Sequence, residues 1–562
     1  MKLYIQDYIN DESNCSAAFV NAISSMKNGD LLVLENKQYH FYPEGAFEKE
    51  YYISNNDSGV KPIALPIINK KEITIDGCGA DLIFHGNMMP MVVDGSEGVV
   101  LKNFSIDYAT PFYAQSKILS ADENGVLLEF DGKEFNCCVR DGKFCFYNPS
   151  TGWEFCSERP LSLEFDENGH PSAYSPPYFA YVGAPMDHGF LSFLFKDVKL
   201  EERGKNLIFM SGSVGKRHTA GNHLIMTYAG RRFPGIFIKD AKNVALDEIK
   251  LYYTAAMGIV GQTSENISLN NIIAEPRKGS GRLLSVNADA THFINCRGKI
   301  TVTNCKFVQM MDDASNVHGI YNPYRARHSD GSLKLGFGHP QHKGVQPYRV
   351  GDRVAVIDAQ SNETKTVGCV LEAELVSSEE IRLKLDCDVP VPEGNWVTEN
   401  LSTAPEVYFG NCESGYNRPR GFLISTAGKA LVEKCKFYNM GQGIQISGEM
   451  KDWYESGRVT DLCIRECDFN NSAYAGGVAI LCHPALWCTD TVFNKRITIE
   501  NNVFTQANRR ICSMKSCEEV IFRNNTFCSD PTLPAHAMHG EDGMTFKNCL
   551  NVIKDELLIK GE

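Results

Sequence analysis

One short phrase recurs along this chain, and its spacing constrains the fold more than any other feature. The phrase runs apolar, any, apolar, any, polar, small, any, apolar. It first reads Ile73-Thr74-Ile75-Asp76-Gly77-Cys78 and Val99-Val100-Leu101-Lys102-Asn103-Phe104-Ser105-Ile106. Later copies start at Val244, Ile267, Ile300, Ala430, Leu462, Ile497, Val520 and Met544. Val244 to Ile267 and Ile497 to Val520 are each 23 residues, and Val520 to Met544 is 24; other steps run to 32–35. Alternation of period two marks a half-buried strand, the polar-small pair marks a corner, and a repeat in this length range marks a solenoid. Short β-branched strands without helical periodicity make the expected fold all-β: a right-handed parallel β-helix.

Two stretches lack the phrase. Residues 111–233 carry hairpin-like text instead, VLLEFDGKEF around Asp131-Gly132 and FCFYNPSTGWEF with Pro149, Gly152 and Trp153. Residues 321–419 carry alternating strands with polar turns, as in a small antiparallel barrel. Both are expected to be inserted small β-barrel-like domains. The division that follows is 1–110 for an N-terminal cap and the first coils, 111–233 for the first insertion and 234–320 for further coils. Residues 321–419 are the second insertion, and 420–562 the last coils. The amphipathic Cys15–Met26 segment is expected to cover the open solenoid end, whose edge would otherwise be unpaired.

The sequence carries 20 cysteines and a formal net charge of −13. Cys305, Cys435, Cys467 and Cys549 fall in one slot of the repeat, where Asn502 and Asn525 stand elsewhere. Cysteine exchanging with asparagine in one slot reads as a stacked small corner residue, so free buried thiols are expected rather than a disulfide scaffold. No CxxC pair suggests zinc. The acidic balance gives no support to nucleic-acid binding. No apolar run is long enough to cross a bilayer, and residues 1–30 lack a signal-type apolar core. The expected setting is therefore cytoplasmic, without nucleic-acid or membrane partners; a homodimer stays open.

Chemistry concentrates between Asn287 and Gly319. Asp289-Ala290-Thr291 and Asp313-Ala314-Ser315 lie 24 residues apart, and Asp312 adjoins the second. Residues one period apart stack on neighbouring strands about 4.8 Å apart, so three carboxyls should meet in one place. Two like charges at such a distance repel by a few kcal/mol at an effective dielectric near ~20, and a cluster that costly needs a proton, a metal or a function. Asn287, His292, Asn316 and His318 flank the acids, and Asn316 and His318 share a strand face. Arg418 and Arg420, where the second insertion returns, and Arg231 and Arg232, where the first ends, can neutralise the acids or hold sugar hydroxyls. Trp453 can stack on a sugar face, although packing explains it equally.

Three carboxyls so placed on a β-helix resemble the polygalacturonase arrangement. The text YHFYPEGAF, YYISNNDSG, ITIDGCGADLIFHG, VVLKNFSIDYATPF, FINCRGKITVTNCKFVQMMDDASNVHG and NRPRGFLISTAGKALVEKCKFYN is more similar to glycoside hydrolase family 110, in the same structural clan. The resemblance spans nearly the whole chain. It implies an inverting exo-acting α-1,3-galactosidase that takes oligosaccharides ending in α-galactose, blood-group-B-type or linear. It implies Asp289, Asp312 and Asp313 as the catalytic trio, with no metal and no organic cofactor. Glycoside hydrolysis needs one protonated and one ionised carboxyl; the expected division is Asp312 as general acid, with Asp289 and Asp313 holding and deprotonating water. Three other readings stay open: a uronic-acid hydrolase of polygalacturonase type, a calcium-dependent polysaccharide lyase, and a non-catalytic glycan-binding β-helix.

Overall fold

The computed structural model describes residues 1–133, 135–148, 153–157, 161–172, 178–180, 194–195, 198–227, 230–540 and 542–560. The chain winds into parallel coils of three short strands each. In a typical coil the first strand is the recurring phrase, as at 244–247 within Lys242–Leu251. The corner residue then turns left-handed, and a second strand follows in the same sheet. Asn103, Asn271, Asn304, Asn411, Asn501 and Asn524 hold that corner with φ of 53–59°, a conformation asparagine tolerates better than most L-residues. The third strand closes the coil.

On the third face, eleven parallel strands run in register from Gly59–Ile68 to Met544–Lys547 among the described residues. Inward side chains repeat from coil to coil; Phe437, Phe469 and Phe504 stack at 4.9 and 4.8 Å. At the N-terminal end the helix Ser16–Ser25 buries Phe19, Ala22 and Ile23 in the same core. Among the described residues no helix is long and apolar enough to cross a membrane.

The corner explains the cysteines. The Cys435 thiol accepts the N–H of Cys412 at 3.4 Å, and the Asn502 and Asn525 side-chain carbonyls accept the N–H of Cys467 and Asn502 at 2.9 and 3.0 Å. Thiol and amide thus offer an acceptor at the same point of successive coils.

The last copy of the phrase falls elsewhere. Met544–Lys547 pairs with Cys512–Lys515 on the third face, and the neighbour of Val520 is Val552. Cys549 follows that other corner, its thiol directed to the Met514 carbonyl at 3.6 Å. The two corners share an apolar alternation followed by a left-handed asparagine, Asn548 at φ 51°, so local text alone does not tell them apart. Eighteen cysteines are free, and Cys145 and Cys156 form a disulfide across adjacent strands. The bonded pair lies in the first insertion, outside the corner slot.

The first insertion leaves the helix after Val100–Tyr108 and returns before Ile236–Lys239. Its described strands form an eight-stranded sheet and a three-stranded meander, packed together through Phe130, Phe144, Phe146 and Phe155. Asp131-Gly132 is not a hairpin: Gly125–Phe130 pairs with Tyr113–Ala121 and 207–211, and the chain then crosses to the meander. The second proposed hairpin is present, Lys143–Asn148 against Trp153–Ser157; its turn, with Pro149 and Gly152, lies outside the described residues.

The second insertion is a closed six-stranded antiparallel barrel. Its first strand, Ser315–Arg327, is continuous with the third face of the β-helix. The barrel is fixed to the coils by Arg297, which grips Asp352 through two bonds of 2.7 and 2.6 Å. Bidentate guanidinium–carboxylate pairs set orientation as well as energy.

Candidate active site

The turn that leads into each third-face strand carries the acids. Thr291 pairs with Ser315 one coil on, which places Asp289 and Asp313 in stacked positions. The Ala290 N–H donates to the Asp313 carbonyl at 2.9 Å, and the Gly258 N–H to that of Asp289 at 2.8 Å. Ala314 in turn donates to Gly421 at 3.0 Å, which ties the turn to the segment where the barrel returns. Buried Asn417 pins the neighbouring peptide, donating to the Asp312 carbonyl at 2.8 Å.

Each carboxyl has a different environment. Asp313, 1% exposed, accepts two bonds from Arg420 at 2.8 and 2.7 Å. Asp312, at 9% the most accessible of the three, is bonded to Arg231 and lies 3.4 Å from Arg418. Asp289 meets an imidazole instead: its Oδ2 lies 2.5 Å from Nδ1 of His292. Burial, then the charge of Asp312, pushes the Asp289 carboxyl up to about 8. Burial also lifts Asp313 to about 7, against the pull of Arg420. Burial would raise Asp312 too, but Arg418, Arg231 and Arg420 together bring it below the usual carboxylate range. Like charges and desolvation have separated three chemically identical groups.

Behind Asp289 lies a buried polar chain. His292 Nε2 is 2.8 Å from His318 Nε2, and His318 Nδ1 is 2.6 Å from the Gly319 carbonyl. Glu455 lies 3.6 Å from His318 Nε2 and accepts from Asn55 at 2.8 Å and Asn316 at 3.4 Å. Its strand reaches the site by antiparallel pairing of Glu455 and Ser456 with Ile320 and Gly319. A Cβ on Gly319 would stand 2.3 Å from the Ser456 hydroxyl, so a larger residue here must displace that side chain. Burial pushes Glu455 up, but the charge that His318, His292 and His342 take on once protonated in acid, together with Arg420, brings it to about 2. Burial lowers His292 to about 4 and lowers His318 as well.

His292, His318 and Glu455 bring ligand-type atoms within 4.8 Å of one another. Two nitrogens bound to one tetrahedral zinc at about 2.0–2.1 Å would stand ~3.3 Å apart. The 2.8 Å between the two imidazoles is a hydrogen bond, and the residues fit that role better than metal ligation.

The structure brings together Asp289, Asp312, Asp313, His292, His318, Asn316, Arg231, Arg418 and Arg420. Asn287 is buried beside the turn, its amide nitrogen donating to the Ala255 carbonyl at 3.3 Å. Arg232 is exposed and borders a separate surface hollow beside Phe112 and Ala255. Trp453 is 37% exposed, its ring 4.3 Å from that of His339. Sequence reasoning missed Glu455, Asn55, His342 and Asn417, which arrive from four separate segments. Three had a nearby signal: Glu455 lies two residues beyond Trp453, Asn417 directly precedes Arg418, and Asn55 falls within YYISNNDSG.

The fold is a right-handed parallel β-helix, and the relatives of the chain place it among the glycoside hydrolases built on that fold. The comparisons agree. Residues 400–551 match the family described as "Right handed beta helix region", and residues 332–393, in the second insertion, match "GLAA-B beta-barrel domain II". The chain is 30% identical to alpha-1,3-galactosidase A of Bacteroides fragilis over 98% of its own length and 90% of that protein's. It is 31% identical to an alpha-1,3-galactosidase B of Phocaeicola vulgatus, over 93% and 88%. With alpha-1,3-galactosidase A of Shewanella woodyi it shares 30% identity, over 90% and 81%. The chain belongs to the α-1,3-galactosidase family.

Proposed function

We propose that this enzyme hydrolyses terminal α-1,3-linked galactose from the non-reducing end of branched blood-group-B-type or linear glycans, with inversion. The observation that carries the reading is the meeting of Asp289, Asp312 and Asp313 in one buried cluster with unlike partners: an imidazole for Asp289, Arg231 and Arg418 for Asp312, and a bidentate Arg420 for Asp313. Inverting hydrolysis requires a proton donor and a carboxylate that takes a proton from water in the same site. The stacked Asp289 and Asp313 are suited to hold one water between them. That water attacks the anomeric carbon, its proton passes to the pair, and the glycosidic bond breaks towards the leaving oxygen.

Asp312 is assigned as the group that protonates the leaving oxygen. In the substrate-free enzyme two guanidiniums favour its ionised form. The assignment therefore requires a bound sugar to draw Arg231 away, with one proton moving from the stacked pair to Asp312. A second reading, favoured by the resting protonation, makes Asp289 the donor and leaves Asp312 ionised.

Proton NMR in the first minutes of hydrolysis of blood-group-B trisaccharide and linear Galα1-3Gal tests the stereochemistry. β-Galactose should appear first. α-Galactose appearing first would require a covalent intermediate and overturn the mechanism, and no turnover of either glycan would overturn the substrate assignment.

A further inference from the structure

The hydrogen bonds behind Asp289 have only one consistent direction for neutral imidazoles. The Gly319 carbonyl can only accept, so His318 carries its proton on Nδ1. The lone pair of His318 Nε2 then accepts from His292, which must be protonated on Nε2. His292 Nδ1 is left as a lone pair facing Asp289 Oδ2 at 2.5 Å. Two acceptors do not approach that closely without a proton between them. Tautomers are settled by such networks rather than seen directly, and this network closes at a backbone carbonyl that has no alternative.

We infer that His292 and His318 are positioning residues forming a proton relay that keeps Asp289 neutral at rest and lets it ionise without releasing its proton to water. The inference rests on the assignment of Asp289 to the catalytic trio. In the relay step the Asp289 proton passes to His292 Nδ1 while the Nε2 proton of His292 passes to His318 Nε2. Asp289 becomes a carboxylate and His318 an imidazolium, and net charge is unchanged. The Gly319 carbonyl still receives the Nδ1 proton. Glu455 lies 3.6 Å from the nitrogen that gains the charge, and Asn55 and Asn316 hold it in place.

The other charged or titratable groups facing the two rings are Asp312, Asp313, Arg231 and His342. The His342 ring lies 6.3 Å from that of His318, and its Nε2 is bonded to the Asn55 side-chain oxygen Oδ1 at 3.1 Å. None of these groups interrupts the chain from Asp289 to Gly319. Burial favours the neutral ends of the relay: Asp289 is raised and both histidines are lowered.

The relay gives Asp289 two states of equal total charge. A site of this kind can offer a neutral carboxyl or a carboxylate at a fixed pH, as the bound sugar demands. Coupled groups of this kind titrate as one unit.

Two measurements test the relay. Nitrogen-15 NMR of histidine-labelled, substrate-free enzyme at neutral pH reads the tautomers directly, with signals assigned by single His→Gln substitutions. His318 should be protonated on Nδ1 alone and His292 on Nε2 alone. A proton on His292 Nδ1 overturns the inference, whatever the enzyme hydrolyses. The second measurement is the pH profile of kcat/KM for His318→Gln and His318→Leu. Glutamine keeps an acceptor for His292 and should leave the limb governed by Asp289 in place. Leucine frees His292 to donate from Nδ1, which favours the Asp289 carboxylate. The limb should then move down by about one pH unit or more, a tenfold change at fixed pH. A uniform fall in kcat with an unmoved limb in both variants would reduce the histidines to packing. Failure to cleave any α-galactoside would instead count against the proposed function and leave the tautomer result standing.

Discussion

Replacing Arg420 by methionine should convert a partner of Asp313 into an apolar neighbour and move the enzyme's acid limb upward. Asp313 is 1% exposed and held by two bonds of 2.8 and 2.7 Å. Breaking a buried ion pair by removing one partner costs about 3–5 kcal/mol if the other charge remains. The carboxyl avoids that cost by keeping its proton, and this energy corresponds to ~2–4 pKa units. Asp313 already titrates near 7 with Arg420 present, so in the variant it should stay protonated well above neutrality. Below both values, kcat/KM falls tenfold per unit, so a shift of about two units gives ~100-fold lower activity at pH 6. Activity should recover as pH rises.

Stability should follow the same sign. A carboxyl whose folded pKa lies above its unfolded value favours folding at low pH and opposes it as pH rises. The variant's thermal midpoint should therefore fall relative to the parent as pH rises through 7 and beyond. The assay is kcat/KM on Galα1-3Gal from pH 5 to 9, with thermal unfolding on the same samples. A loss of the same factor at every pH would refute the reasoning and leave Arg420 as a sugar ligand alone.

Further predictions concern the rest of the site. Asp312→Asn should lose about 10²–10⁴-fold on glycans with poor leaving groups and much less on an activated aryl galactoside, if one is accepted. Equal losses on both substrates would transfer the acid role to Asp289. Gly319→Ala should push Ser456 and Glu455 away, because the added methyl would stand 2.3 Å from the Ser456 hydroxyl; overpacking of this kind costs about 1–3 kcal/mol. Activity should fall and partly return in Gly319→Ala with Ser456→Gly, and no return would place the damage elsewhere. Prolonged EDTA treatment should leave the rate nearly unchanged, since guanidiniums occupy Asp312 and Asp313 and the imidazoles bond each other. Loss restored by calcium would favour a lyase.

The period of the apolar phrase was enough to define the solenoid, because parallel coils must repeat their inward side chains at every turn. The same text was not enough to assign Met544 and Cys549 to a face, because both corners of a coil ask for alternating apolar residues followed by a left-handed asparagine. The acid trio was legible because its members sit one period apart in a single segment, and Arg231, Arg418 and Arg420 because they mark where the two insertions rejoin the coils. Arg232 shows the limit of proximity in sequence: it adjoins Arg231 but is exposed at the surface. Glu455, Asn55 and His342 come from a strand that pairs with Gly319 and Ile320, from the N-terminal segment and from the barrel. Neighbouring text could flag two of these segments but could not join them to the acids, since only the wound helix brings residues hundreds of positions apart within hydrogen-bonding distance. The division of protonation is likewise a tertiary property. Three aspartates are identical in sequence, and they differ here because one meets an imidazole, one a bidentate guanidinium and one a pair of arginines, all of them buried.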